Sequence, residues 1–190
     1  KDIRIQEKQN DYMPFAFKSG DIEIVKYVER KGYKINKDNV GQCMINALKA
    51  KNNAMKMLKY IVEEKGFSPA SISDKAKTRL LRKAAMKENL IFLTYLERHG
   101  LPITAIKIPN KLVFLACGGN DLSLLKYLMQ KGFSLNIRNT KRQNPLHVAL
   151  LDNKNSEISK YLMSLDIANE LLQQKDEQGV TPESIINSRR

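Results

Sequence analysis

Leu124-Leu125-Lys126-Tyr127-Leu128, followed by Lys131-Gly132-Phe133, decides the reading of this chain because it recurs. Ile24-Val25-Lys26-Tyr27-Val28, Met57-Leu58-Lys59-Tyr60-Ile61, Phe92-Leu93-Thr94-Tyr95-Leu96 and Ile158-Ser159-Lys160-Tyr161-Leu162 are variants of the same block. The tyrosines at 27, 60, 95, 127 and 161 are separated by 33, 35, 32 and 34 residues. A period between about 20 and 50 residues is the mark of stacked repeats, each too small to bury its own apolar face. The apolar residues within each block lie at helical spacing, so the block is the buried stripe of a helix. Ile24, Val25, Tyr27 and Val28 form that stripe in the first copy, and the tyrosines read as packing residues whose hydroxyls reach an edge.

The block has a regular ending. Lys31-Gly32-Tyr33, Lys65-Gly66-Phe67, His99-Gly100-Leu101 and Lys131-Gly132-Phe133 each place a glycine where a helix stops, with an apolar residue after it. That pattern predicts a left-handed cap closed by the apolar side chain. The fifth copy continues as Ser164-Leu165-Asp166 instead. Ahead of each block stands a shorter helical stretch and a turn, Ser19-Gly20-Asp21 in the first copy and Gly118-Gly119 in the fourth.

With the second halves so described, the chain resembles the ankyrin-repeat family. Gly20-Asp21-Ile22-Glu23-Ile24-Val25-Lys26-Tyr27-Val28 with Lys31-Gly32-Tyr33-Lys34-Ile35-Asn36 is similar to the second half of such a repeat. Asn144-Pro145-Leu146-His147-Val148-Ala149 resembles the Thr-Pro-Leu-His-x-Ala start of its first helix. Gly179-Val180-Thr181-Pro182 begins a further partial unit. The resemblance implies an all-α solenoid over residues 11–190, with repeats at about 11–37, 38–70, 71–104, 105–138 and 139–170 and a partial one at 171–190. Residues 1–10 read as a polar lead-in or the tail of a preceding element. Asp38-Asn39-Val40-Gly41 and Asp176-Glu177-Gln178-Gly179 match the family's finger turn. Asn139-Thr140-Lys141-Arg142 has Arg where Gly is expected. Pro69, Pro102 and Pro109 predict irregular fingers elsewhere.

Sequence features for catalysis are sparse. There are 2 histidines and 2 cysteines in 190 residues. Cys43 and Cys117 fall in different repeats, which is neither a disulfide framework nor a metal spacing. Both read as small buried hydrophobes in a reducing compartment, which points to the cytoplasm. The resemblance gives His147 a structural role, tying one repeat to the next, and His99 precedes a helix-ending glycine. No phosphate-binding loop, nucleophile elbow or zinc-ligand helix is present in the sequence. The expectation is therefore a non-enzyme with no cofactor and no metal. No apolar run reaches the length of a membrane span.

Charge is the remaining signal. The chain carries a net +13, distributed as +5 over residues 1–75, +10 over 76–146 and −2 over 147–190. In the middle stretch 13 Lys/Arg face 3 Asp/Glu. A field of that sign steers acidic partners inward. Arg79, Arg82, Lys83 and Lys87 lie on one first helix, and Lys107, Arg138, Lys141 and Arg142 lie in finger segments. The expected partner is an acidic protein or peptide bound by a monomer on its concave finger and inner-helix side. The alternatives are a polyanion, either nucleic acid or phospholipid headgroup, and a targeting arm for an enzymatic domain outside this segment. No aromatic platform is interleaved with the cations, which weighs against nucleic acid. By analogy only, the Lys-, Asn- and Ile-rich composition fits the repeat module of a bacterial effector acting in a host cytoplasm.

Overall fold

Each tyrosine block is helical, and each is preceded by another helix. The structure is a computed structural model that describes residues 12–87, 90–106, 109–151 and 157–188. Among these residues every regular element is helical and no strand occurs. The chain divides into two compact units, Lys1–Lys107 and Ile108–Arg190. The first unit holds α1 (residues 12–19), α2 (Ile22–Arg30), α3 (Val40–Ala47), α4 (Ala54–Lys59), α5 (Asp74–Ala85) and α6 (Ile91–Arg98). The second holds α7 (Pro109–Gly118), α8 (Leu122–Gln130), α9 (Pro145–Leu151), α10 (Glu157–Met163), α11 (Ala168–Gln173) and α12 (Pro182–Asn187).

The corners between paired helices share one device. Gly20, Asn53 and Asn120 each stand seven residues before the block tyrosine, with φ of 76°, 58° and 52°. This left-handed backbone suits glycine and is tolerated by asparagine. In the fourth copy the left-handed residue is thus Asn120, and Gly118 only ends α7. Asn53 Nδ2 donates to the Gly20 carbonyl oxygen at 3.1 Å, so one corner holds the next. Asp21 and Asp121 follow two of the corners as N-caps, accepting from the Glu23 and Leu124 N–H groups at 2.9 Å.

The helix ends close as the glycines require. Gly32, Gly100 and Gly132 have φ between 83° and 93°. The N–H groups of Tyr33, Leu101 and Phe133 bond back to the carbonyls of Val28, Leu96 and Leu128 at 2.9–3.3 Å, the longer bond of a Schellman cap. The second copy differs because its glycine lies six residues after the tyrosine instead of five. Its helix absorbs the extra residue by widening: Tyr60–Glu64 is π-helical and Lys65 N–H bonds to the Tyr60 carbonyl.

Burial follows the repeat phase. Two residues before the tyrosine, Val25, Leu58 and Leu125 are fully buried and Leu93 and Ser159 nearly so, and one residue after it Ile61, Leu96, Leu128 and Leu162 are fully buried. Tyr60, Tyr95 and Tyr127 are buried as well. The first copy departs from expectation: Ile24 and Tyr27 are 44% and 54% exposed, and of the stripe only Val25 is buried. In the later copies of the first unit a preceding second helix covers this face. Tyr60 hydroxyl donates to Glu29 Oε2 at 2.6 Å, and Tyr95 hydroxyl to Glu63 Oε1 at 3.0 Å. No described helix stands before α1 and α2 to do the same for Tyr27.

Two finger tips in the second unit are near copies. Asn139 Oδ1 accepts from the Lys141 and Gln143 N–H groups at 2.9 Å, and Asp176 Oδ1 accepts from Gln178 and Val180 at 2.9 and 3.0 Å. Gly179 occupies the left-handed position of its tip with φ of 79°, and Arg142 is forced into it with φ of 58°. A side chain there costs about 1–2 kcal/mol, part of which glycine returns through its more flexible unfolded state. Arg142→Gly should therefore raise the urea midpoint, by about 0.5–1 kcal/mol in unfolding free energy. An unchanged or lower midpoint would contradict the strain.

The Asp38–Gly41 stretch is not such a tip. Gly41 lies inside α3, where an added Cβ would meet Ala76 Cβ at 2.9 Å. Asn36 and Asn39 hold the chain there instead. Asn36 Oδ1 accepts from the Asp38 and Asn39 N–H groups, and Asn39 Oδ1 accepts from the Asn36 N–H. Glycine at 41 thus serves helix packing, not a turn. Pro69 starts a short 3-10 turn, Pro69–Ser71, and Pro109 opens α7, where a missing N–H does no harm.

Candidate functional site

The two cysteines and one of the two histidines, His147, lie in the interior. Cys43 and Cys117 are buried, and desolvation pushes both thiols up to about 12 from 9.0. A thiol so raised is inert at neutral pH. Because the folded pKa exceeds the unfolded one, each buried thiol contributes stability that is present below pH 9 and lost as pH rises toward 12. Burial raises the Tyr60 and Tyr95 phenols in the same sense. Urea midpoints should hold to about pH 9 and then fall, and a Cys43→Ala, Cys117→Ala variant should fall less between pH 9 and 10. Identical slopes for the two proteins would refute the assignment.

His147 is fully buried in the junction between α9 and the next finger. Its Nε2 lies 3.1 Å from the Val180 carbonyl oxygen, and its Nδ1 lies 3.2 Å from the Asn144 backbone nitrogen and 2.8 Å from Asn144 Oδ1. Asn144 Nδ2 donates to the Leu171 carbonyl and to Gln174 Oε1, both at 2.8 Å. The pair therefore ties α9 to the next finger and α11. His99 lies 3.9 Å from Glu63 Oε1, with its ring against Tyr95. Among the described residues no group of three His, Cys, Asp or Glu could hold a metal ion, and no helix is long and apolar enough to cross a membrane.

The cations behave differently. In the first unit α1, α3 and α5 stand side by side: Asn46 Nδ2 donates to the Pro14 carbonyl at 2.8 Å, and α3 contacts α5. Their exposed edges carry Lys18, Lys49, Arg79 and Lys83. Desolvation lowers the Lys49 pKa below its ordinary 10.5, and the charges of Lys83, Arg79 and Lys18 lower it further. Three like charges are thus gathered around Lys49. Among the described residues no carboxylate lies within ion-pair distance of any of these four. Elsewhere in the unit Lys26, Lys65 and Lys77 are paired with Glu23, Glu29 and Asp74 at 3.6, 2.9 and 3.6 Å.

A polar scaffold underlies this face. Asn46 is buried, and its Oδ1 accepts from Gln42 Nε2 at 2.8 Å and from Lys49 Nζ at 3.0 Å. Two clefts flank α3. One, of about 270 Å³, lies between α1 and α3 and is walled by Phe15, Lys18, Asn46 and Lys49. The other, of about 390 Å³, lies between α3 and α5 and is walled by Lys37, Lys75 and Arg79, with Asp38 as its one acid. Gln42 lines both.

Of the residues anticipated from sequence, Arg79 and Lys83 belong to this cluster. Arg82 is exposed on the same helix. Lys87 lies over the Phe92 ring, 6.0 Å from its centroid. Lys107 lies outside the described residues. Arg138, Lys141 and Arg142 belong to the second unit, where they build fingers. Arg138 Nη1 donates to the carbonyls of Arg142 and Lys175 at 2.9 and 2.7 Å, and the Lys141 carbonyl accepts from Glu177 N–H. Lys18, Lys37 and Lys49 were missed. Their signal was positional, since Lys18, Lys49 and Lys83 precede their block tyrosines by nine, eleven and twelve residues. No family model matches the chain, and no curated protein does.

Proposed function

We propose that this chain is a non-catalytic protein-recognition module, an ankyrin-like stack of helix pairs, which grips an acidic protein or peptide on the inner-helix face of its first unit. The observation that carries the reading is the cluster of Lys18, Lys49, Arg79 and Lys83, gathered closely enough that the charges of the other three act on Lys49, with no carboxylate paired to them among the described residues. Cations held together unpaired raise the energy of the free surface, and an acidic ligand relieves that. The recurrent phase of corners, caps and tyrosine contacts within each unit supports the repeat reading, and extended repeat surfaces serve as grips for partners. The finger cation Arg138 holds the Arg142 and Lys175 carbonyls instead, which moves the proposed face from the fingers onto the first helices.

The test is charge reversal. Lys49→Glu, Arg79→Glu and Lys83→Glu together should lower the association rate for acidic peptides by at least tenfold, with an unchanged circular-dichroism spectrum. Reversing Lys26, Lys59 and Lys126, on second helices, should cost much less. Equal losses would make net charge the determinant, and no loss from either would remove the assigned face.

A further inference from the structure

The two clefts on either side of α3 do more than attract negative charge, because they are spaced. One lies between α1 and α3 and the other between α3 and α5, so a ligand crossing the face meets them one helix apart. Packed helices are separated by about 8–10 Å. The clefts are also staggered along α3, the first reaching Asn46 and Lys49 and the second Gly41, a shift of about one turn, or 5 Å. Two anionic groups that fill both clefts must therefore be about 10 Å apart. Each cleft supplies its own cations: Lys18 and Lys49 in one, Lys37, Lys75 and Arg79 in the other. Gln42, whose Nε2 is bonded to Asn46 Oδ1, lines both and stands between them.

An extended β-strand does not fit this demand, because residues three apart point to opposite faces and residues two apart span only about 7 Å. A polyproline II segment does. It has three residues per turn and rises about 3.1 Å per residue, so every third side chain returns to the same face after about 9.3 Å. From the spacing and charge of the clefts we infer that the acidic ligand is a polyproline II peptide with carboxylates at every third position, Glu-x-x-Glu. Phe15, 68% exposed at the edge of the α1–α3 cleft, offers an apolar surface to the residue beside the first carboxylate. The inference rests on the reading that this face receives an acidic partner, and it adds the conformation and spacing of the ligand.

The experiment uses the full chain and fluorescent peptides of one composition, each with two glutamates in a proline-rich frame, separated by one, two or three residues. Fluorescence anisotropy should give at least tenfold tighter binding for the two-residue separation, Glu-x-x-Glu. Arg79→Ala and Lys49→Ala, at exposed positions that leave the circular-dichroism spectrum unchanged, should each abolish the preference. In Arg79→Ala, replacing one particular glutamate of the peptide by glutamine should have no further effect, and in Lys49→Ala the same should hold for the other glutamate. Equal affinity for all three peptides would overturn the spacing and leave acidic recognition standing. Binding of none of them, or tighter binding of a single-stranded oligonucleotide than of any peptide, would overturn both.

Discussion

Replacing Leu125 by alanine should lower the free energy of unfolding by about 2–5 kcal/mol. Leu125 is fully buried in α8, which packs against α7. Truncation loses the transfer energy of the removed carbons and leaves a cavity whose walls can relax only partly, because interiors are close-packed and Leu124 and Leu128 of the same helix are themselves buried. A domain is stable by only about 5–15 kcal/mol, so this one change removes a large fraction. Ser123→Ala, two residues away and exposed, should stay within about 0.5 kcal/mol. Urea denaturation compares the two. Similar midpoints would mean that the tyrosine block is not the buried stripe of its helix.

That stripe was legible because burial recurs with the period of the sequence. Leu58, Leu93, Leu125 and Ser159 stand two residues before their tyrosines, and all are buried. Val25 shows where periodicity stops being informative. It is buried like its counterparts, but Ile24 and Tyr27 beside it are exposed, because what covers a block is the copy before it, and period alone does not say which copy stands at an edge. The widened turn at Tyr60 was written in the six-residue gap to Gly66, a one-residue insertion that a helix accommodates without losing its cap.

The basic face was half legible. Arg79 and Lys83 stood out because residues 76–146 hold few acids. Lys18 and Lys49 did not, because Glu23, Glu29 and Glu63 offset them in a count along the chain. Those acids lie on second helices, where Glu29 and Glu63 receive the tyrosine hydroxyls and Glu23 pairs with Lys26. A linear sum cancels charges that the helix pair places on different elements. Sorting residues by distance from the block tyrosine, rather than by position in the chain, separates them.

Gly20→Ala should destabilise the first unit by about 2–5 kcal/mol, well beyond the same change at Gly132. Both glycines are left-handed, with φ of 76° and 83°, so each substitution carries the backbone term of about 1–2 kcal/mol. The surroundings differ. A Cβ at Gly132 meets nothing within 4 Å, whereas at Gly20 it overlaps the Asn52 carbonyl oxygen and presses on Ala50 Cβ at 3.3 Å. The overlap is with backbone, which has no rotamer to yield. It can be relieved only by parting the α1–α2 corner from the segment between α3 and α4, against the bond from Asn53 Nδ2 to the Gly20 carbonyl. That movement opens the cleft that Lys18 and Lys49 line, the proposed seat of the ligand. Gly20→Ala should therefore also weaken acidic-peptide binding in the fraction that remains folded, although it changes no charge. Gly132→Ala should leave binding unaltered. Equal losses of stability at the two positions would refute the close approach at Gly20, and a destabilised Gly20 variant with unchanged affinity would detach the cleft from the binding face.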